Sequence, residues 1–266
     1  MSKDFLVVLT STYNEAPLVP WFLRYYGQFA EKIIVHDDHS TDGTRDLLAG
    51  QKGVEVHDWT GDNGIDETQR LEWAYRCKTA MVGQCHWLMI VDFDEFIFGP
   101  YKFEGEVRGV LAEEMRRGTD VIQTSGFNMM HKDSDTAGVP PAGLHSKDTQ
   151  LWHLIPTGVY APVYSKPVVV TPESKVDWHR GRHQLNECDI KLSLKPRLKL
   201  LHYRYLSPAY TKERNARNLA RCCAKTGDKG AAWSCEPKRD SAQQEGTSLW
   251  SARAQRECFI VIEMPI

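Results

Sequence analysis

His86-Trp87-Leu88-Met89-Ile90-Val91-Asp92-Phe93-Asp94-Glu95-Phe96 decides how this chain reads, because an apolar run halts abruptly there at three acids. A continuous apolar run of this length fits a strand covered on both faces, as in a parallel sheet. In open α/β sheets, ligands bind beyond the carboxyl ends of such strands. Alternation at the strand end predicts Asp92 and Asp94 on one side and Phe93 on the other, with Phe93 and Phe96 packed inward. Two carboxylates facing one cation make Asp-Phe-Asp a candidate seat for a divalent metal and the phosphates it carries. An isolated acid-x-acid triplet more often closes a strand with a solvated turn, so the neighbouring segments decide between the two readings.

Upstream, Phe5 to Thr10 is apolar and β-rich and runs into the polar stretch Ser11-Thr12-Tyr13-Asn14-Glu15. From Leu18, apolar residues recur at Trp21, Phe22, Tyr25, Tyr26 and Phe29, which is helical spacing, and Pro17 and Pro20 sit where a first turn tolerates them. Ile33-Ile34-Val35 predicts a second strand that ends in His36-Asp37-Asp38-His39-Ser40-Thr41-Asp42-Gly43-Thr44, with Asp42-Gly43 a turn and Thr44 a cap for a short helix through Leu47 and Leu48. A third strand is expected at Val54 to His57, a polar loop over 58–66, and a helix from about Glu67 to Met81. Strands alternating with helices predict βαβ units and a mostly parallel sheet. The acid-bearing ends of the second and fourth strands then share one edge.

Downstream, Val107 to Arg117 reads as a helix, Val121 to Gln123 as a strand and Asn128 to Gln150 as a long loop of the kind that forms a lid or an acceptor-side wall. Short strands are expected near Leu151 to Ile155, Val163 to Val170 and Arg197 to His202, with a helix from Pro208 to Lys225. Cys258 to Ile262 is an apolar run that reads either as an edge strand or as a tail. The division expected is a core over 1–127, an acceptor-side region of the same domain over 128–229, and a tail over 230–266.

The 266 residues suffice for one sizeable α/β domain, with 41% hydrophobic and 26% charged residues, an ordinary globular balance. A formal charge of -2 gives no global pull toward nucleic acid or membrane. Locally, residues 191–229 carry eleven Lys or Arg against Glu213 and Asp228, which reads either as a solvated face or as a patch for an anionic surface. Seven cysteines without Cys-x-x-Cys clusters point to free thiols in a reducing compartment and away from a zinc site. With no apolar leader and no segment of about 20 uninterrupted apolar residues, the expectation is a cytoplasmic protein without a membrane span, 191–229 being the candidate for any peripheral membrane contact.

No Gly-x-Gly-x-x-Gly follows the first strand, and no Gly-Lys-Ser/Thr loop or Gly-x-Ser-x-Gly elbow occurs, which speaks against nicotinamide dehydrogenases, P-loop enzymes and α/β-hydrolases. Four pieces in order, Thr12-Tyr13-Asn14-Glu15, Asp37 to Thr44, Asp62-Asn63-Gly64 and Asp92-Phe93-Asp94-Glu95-Phe96, resemble the family 2-like glycosyltransferases of the GT-A fold, in the subgroup with an Asp-x-Asp-Glu-Phe strand end. The resemblance covers about the first hundred residues. It implies a Rossmann-like, mostly parallel sheet flanked by helices, with a smaller C-terminal acceptor-side region. It also implies transfer of a sugar from a nucleotide diphosphate donor, with UDP favoured, to an acceptor hydroxyl with inversion. On that resemblance Asp38 accepts a hydrogen bond from the base, Ser11, Thr12 and Asn14 line the same pocket, and Arg70 lies near base and diphosphate. Asp92 touches ribose or metal, and Asp94 binds Mn²⁺ or Mg²⁺.

Trp178-His179-Arg180 and Leu200-Leu201-His202-Tyr203-Arg204 look like the later His-containing segments of that subgroup. His202 is the candidate to complete the metal's coordination, and Arg180, Arg182 and Arg204 are candidates to clamp phosphate. The Gln-x-x-Arg-Trp element of processive members is absent, which speaks against a polysaccharide synthase. Deprotonating the acceptor needs a carboxylate or a His. Asp133, Asp135, Asp177 and His179 qualify, with Asp177 and His179 preferred. The rivals are nucleotidyl transfer, which would want a Gly-rich basic first loop, and a non-catalytic module for sugar nucleotides or glycans.

Overall fold

The computed structural model describes residues 3–61, 64–100, 105–130, 150–155, 157–206, 208–223 and 261–263. In chain order the strands and helices are β1 (Asp4–Thr12), α1 (Val19–Tyr26), β2 (Lys32–Asp37), α2 (Thr44–Leu48), β3 (Val54–Asp58) and α3 (Glu67–Ala80). There follow β4 (Cys85–Ile90), β5 (Glu95–Phe98), α4 (Gly105–Arg116), β6 (Val121–Ile122), β7 (Thr124–Met130), α5 (Leu151–Leu154) and β8 (Thr157–Tyr160). The described chain closes with β9 (Val169–Val170), β10 (Leu198–Tyr205), α6 (Pro208–Cys223) and β11 (Val261–Glu263). Two compact units result, one of Met1–Gly61, Thr68–Phe127 and Ala161–His202, the other of Asp62–Glu67, Asn128–Tyr160 and Tyr203–Ile266.

The first unit is α/β, built on a six-stranded sheet in the order β3-β2-β1-β4-β9-β6. Its β3, β2, β1 and β4 run parallel, and β9 is antiparallel to both β4 and β6. This is the mostly parallel sheet that the apolar runs predict, since strands buried on both faces have no polar alternation to show. Val7, Leu9, Leu88 and Ile90 pack on one face with Trp73 and Ala74 of α3. Trp87 points to the opposite face and donates its indole N–H to Leu111 O of α4. Helices thus cover both sides of the strands.

Beyond Ile90 the chain leaves the parallel sheet. Asp92 to Glu95 forms a turn, closed by Glu95 N–H donating to Asp92 O at 3.0 Å, and β5 then pairs antiparallel with β10. This corrects the alternating strand end expected over Asp92 to Asp94, because the acids lie on a turn between two sheets and not on a strand. Phe93 and Phe96 are nevertheless buried against α1, where Phe22 stacks on Phe93 at 4.3 Å and Tyr25 on Phe98 at 4.8 Å. Tyr25 and Tyr26 donate their hydroxyls to Ile97 O (2.5 Å) and Glu95 O (2.7 Å), so the acid-bearing turn has a rigid aromatic backing.

Four further expectations change. Leu151 to Leu154 is one helical turn, not a strand, with Ile155 N–H returning to Leu151 O, because so short a segment has no period that could tell helix from strand. The strand expected over Val163 to Val170 shrinks to β9, preceded by a 3-10 turn at Pro162–Tyr164 where Pro162 removes a ladder donor. Thr44 is not the cap of α2. Gly43, at φ 88, takes that position, and Asp42 Oδ1 accepts Thr44 N–H at 3.0 Å. The loop expected from Asn128 begins as strand through Met130, and 131–149 lie outside the described residues.

In the second unit β8 pairs antiparallel with β11, so Val261–Glu263 of the ambiguous C-terminal run is a strand. Leu151, Trp152, Ile155 and Leu206 are buried there. Arg221 of α6 donates to Gly64 O at 3.4 Å and Arg204 to Asn215 at 3.0 Å.

At the carboxyl ends of β2 and β3, His36 and His57 are register partners with rings stacked at 5.2 Å. Burial and then the His57 charge hold His36 down at about 4. The unfolded chain, titrating near 6.5, therefore takes up this proton first, and stability falls as pH drops from about 6.5 to 4. The loss attributable to His36 by pH 4.5 is on the order of 2 kcal/mol. Melting curves of wild type and His36→Gln between pH 7.5 and 4.5 should converge on the acid side. Parallel curves would show that His36 carries no such linkage.

Candidate functional site

Strands β2, β1 and β4 are neighbours, so their carboxyl ends bring the acidic segments to one edge, with the β2 and β4 ends two strand spacings or roughly 10 Å apart. At the β1–β2 end, Thr12 faces Asp37 across the ladder, and Asp38 N–H donates to Thr12 O at 2.8 Å. Thr12, Asp37 and Asp38 are all buried. Thr12 Oγ1, Asp37 Oδ1 and the indole N–H of Trp59 are buried with no hydrogen-bond partner among the described residues. An acceptor or donor left so costs about 1–3 kcal/mol. Three of them at one strand end, where the backbone N–H of Trp59 donates to Asp37 O, mark a place that suits a polar ligand.

The loop beyond β1 is clasped to the loop beyond β2. Asn14, at φ 53, has its backbone N–H on Ser40 Oγ (2.8 Å), while its side chain accepts from Thr41 N–H (2.7 Å) and approaches Thr41 Oγ1 (3.4 Å). Ala16 N–H donates to Asp42, and Glu15 N–H to Thr44. Asn14 therefore shapes the pocket wall with the groups it would otherwise offer a ligand. Ser11 sits level with His36, half-buried. Asp38 has the His39 ring at 3.3 Å, and His39 is itself at φ 60.

The β4 end is a charge cluster. Lys166, fully buried, places its ammonium 2.6 Å from Glu95 and 3.3 Å from Asp92. Glu95 also accepts Asp92 N–H at 3.0 Å, so one ion pair fixes the whole turn. Arg182 reaches Asp92 at 3.4 Å from a backbone held at φ 55, and Arg70 of α3 acts on the same carboxylate electrostatically. Burial would raise the Asp92 pKa, but Lys166, Arg182 and Arg70 together hold it well below the usual carboxylate range. Burial would likewise lower Lys166, and Glu95 and Asp92 reverse that, keeping it charged. Asp92 is half-buried, the most accessible acid of the turn, with 34% of its side chain exposed.

Asp94 has a different partner. Its side chain is 2% exposed, and Oδ2 lies 3.2 Å from His202 Nε2 on β10. The His202 ring lies against Tyr164, with centroids 4.0 Å apart. Tyr164 is set by Gly126, where any Cβ would run into the Tyr164 backbone, and β7 holds Lys166 O through Thr124 N–H (3.1 Å) and Oγ1 (2.9 Å). Among the described residues, no group of three or more His, Cys, Asp or Glu side chains is disposed to hold a metal ion. Asp94 and His202 offer two ligands. That donor set fits a hard divalent ion that takes its remaining ligands from phosphate and water.

No family model matches the chain, and no curated protein matches it. Solved structures do. One is a mannosyltransferase from Pyrobaculum calidifontis in complex with GDP-Man and Mn2+, at 12% identity and a TM-score of 0.46, over 96% of this chain and 76% of that one. Another is 4-diphosphocytidyl-2C-methyl-D-erythritol synthase from Anaerococcus prevotii, at 12% identity and a TM-score of 0.31, over 49% of this chain and 58% of that one. Likenesses this distant carry no argument about chemistry, which rests on the residues themselves.

Of the remaining sequence candidates, Asp177 and His179 are exposed, on a segment where they alternate with the buried Val176 and Trp178. Asp177 accepts a hydrogen bond from Tyr75 of α3 at 3.0 Å, and the same hydroxyl accepts Trp178 N–H at 2.8 Å. Asp133 and Asp135 lie outside the described residues. Of the three arginines proposed for phosphate, Arg182 stands on Asp92, Arg180 is exposed, and Arg204 bonds Asn215 in the second unit. Sequence reasoning passed over Lys166, Glu95 as its counterion, and Asp37. A lone Lys ahead of the apolar run Pro167 to Val170 was the available signal for the first, since a cation that opens a buried strand must find a buried acid. Cys77, Cys85 and Cys188 are free thiols, as their spacing predicts. No helix among the described residues is long and apolar enough to cross a membrane.

Proposed function

We propose that this chain is a glycosyltransferase, moving a sugar from a nucleotide diphosphate, with UDP favoured, to an acceptor hydroxyl with inversion. The observation that carries the reading is the pairing of two ligand-ready strand ends on one sheet edge, unpartnered polar atoms at β1–β2 and a cation-rimmed carboxylate turn at β4. The β1–β2 end would take the nucleoside, with Thr12 and Asp38 as the sequence suggests and Asp37 Oδ1 as a further acceptor. Arg70 and Arg182 would face the diphosphate, oriented by Asp92. Asp94 and His202 would hold Mn²⁺ or Mg²⁺, which supplies charge neutralisation at the departing diphosphate. Asp177 and His179 are the proposed acceptor-side bases, Asp177 being aligned by Tyr75.

Thermal-shift measurements with UDP, GDP, CDP and their sugars, each with and without Mn²⁺, test this. A ligand at a hundred times its Kd adds about 2.7 kcal/mol. For a protein of this size that raises the melting point by roughly 5–10 °C. The expected result is a shift with one nucleoside diphosphate that needs the ion for its full size. No shift with any of them sinks the assignment. Saturable binding without sugar release to water or acceptor would favour the non-catalytic module.

A further inference from the structure

We propose that the segment Lys191 to Arg197, beside the last turn of α4, is a membrane-docking ledge for anionic lipid. It lies beyond β6, at the lateral edge of the sheet, whereas the acids of the candidate site lie at the carboxyl ends of β1, β2 and β4. Its backbone is pinned. Lys191 N–H donates to Asp120 at 2.8 Å, Ser193 N–H to Val121 O at 2.9 Å, and Gln123 N–H returns to Ser193 Oγ at 3.2 Å. With Ser193 turned in toward the sheet, Leu192 and Leu194 on either side of it are 44% and 86% exposed. Met115, on the adjoining turn of α4, is 40% exposed. A leucine held almost wholly in water on a fixed backbone is an uncommon arrangement for a loop that has nothing to touch.

Charge selects the occupant. Arg117 and Arg197 are neutralised by Glu113 and Glu114, at 2.5 to 3.6 Å. Arg116, Lys191 and Lys195 are exposed around the leucines with no acid paired to them among the described ion pairs, Lys191 donating from its ammonium to Arg117 O. Cations ringing short apolar anchors are the chemistry of anionic headgroups over an acyl boundary, where lysine stems lie along the apolar zone and their ammoniums meet phosphate. A second copy adding a strand at this edge is opposed by Lys195 and by Pro196, which has no N–H to donate. The ledge is independent of the sugar-transfer reading.

The test is co-sedimentation of the full chain with vesicles of phosphatidylcholine alone and of equimolar phosphatidylcholine and phosphatidylglycerol. Wild type should pellet with the anionic vesicles only, and less so as salt is raised. Leu192→Ser/Leu194→Ser and Lys191→Glu/Lys195→Glu should each weaken pelleting by roughly tenfold or more with unchanged melting temperature, because the side chains replaced are solvent-exposed. Failure of wild type to pellet at low salt would overturn the proposal, as would pelleting by both variants at the wild-type level. So would a wild-type dimer in sedimentation velocity that Leu194→Ser converts to monomer, which would give the ledge to a second copy.

Discussion

Asp94→Asn is expected to abolish metal-dependent release of sugar from the donor while leaving the protein folded. Asp94 is buried and its carboxylate lies 3.2 Å from His202, so an isosteric amide keeps the shape and removes the charge. On the proposed reading Asp94 is one of two protein ligands, and its loss would remove the means of placing a divalent ion against a departing diphosphate. The expected loss is roughly a thousandfold or more in turnover, the scale on which a single preorganised electrostatic group acts. The Mn²⁺-dependent part of the donor's thermal shift should vanish with it, while binding of the nucleoside persists at the β1–β2 end. Hydrolysis of the donor that stays within tenfold of wild type, in a variant that melts normally, would place the metal elsewhere.

The second large effect falls on stability. Lys166→Met removes the buried ammonium between Glu95 and Asp92 and leaves Glu95 buried without its counterion. Breaking a buried pair from one side costs about 3–5 kcal/mol. In a chain of this length that lowers the melting point by roughly 10 °C. The partner change Glu95→Gln made alone should be damaging too, because it leaves the buried ammonium with Asp92, at 3.3 Å, as its remaining counterion. Lys166→Met with Glu95→Gln should recover most of the loss, since neither charge is then orphaned, and the double-mutant cycle measures the coupling directly. Additive losses would mean that Lys166 supports the turn by packing and not by charge. Asp92 adds a second readout: with Lys166 gone, Arg182 and Arg70 alone hold its carboxylate ionised, so its pKa should rise toward the ordinary range.

Two features of the turn explain why its geometry escaped a reading by alternation. Glu95 folds back to cap Asp92 N–H, and β5 departs to pair with β10, more than a hundred residues later in the chain. Neither event is written in the local pattern, because a turn and a strand end share the same mixture of acids and aromatics. The aromatic backing was legible in part. Phe22, Tyr25 and Tyr26 fall at helical spacing, so their common face was foreseeable, but that Tyr26 would donate to Glu95 O depends on where the sheets place β5.

By itself the sequence determined the α/β class, the order of β1 to β4 with their helices, and the edge on which the acids gather. Those follow from local physics: runs buried on both faces lose polar alternation, helices show their period, and parallel neighbours must point their ends the same way. Tertiary structure decided what each acid meets. Nothing in the local pattern tells Asp92, Asp94 and Glu95 apart by partner. Their partners are Lys166, Arg182 and His202, all at least 70 residues away in sequence, and a carboxylate's charge state and freedom are set by whatever cation the fold brings within a few ångströms.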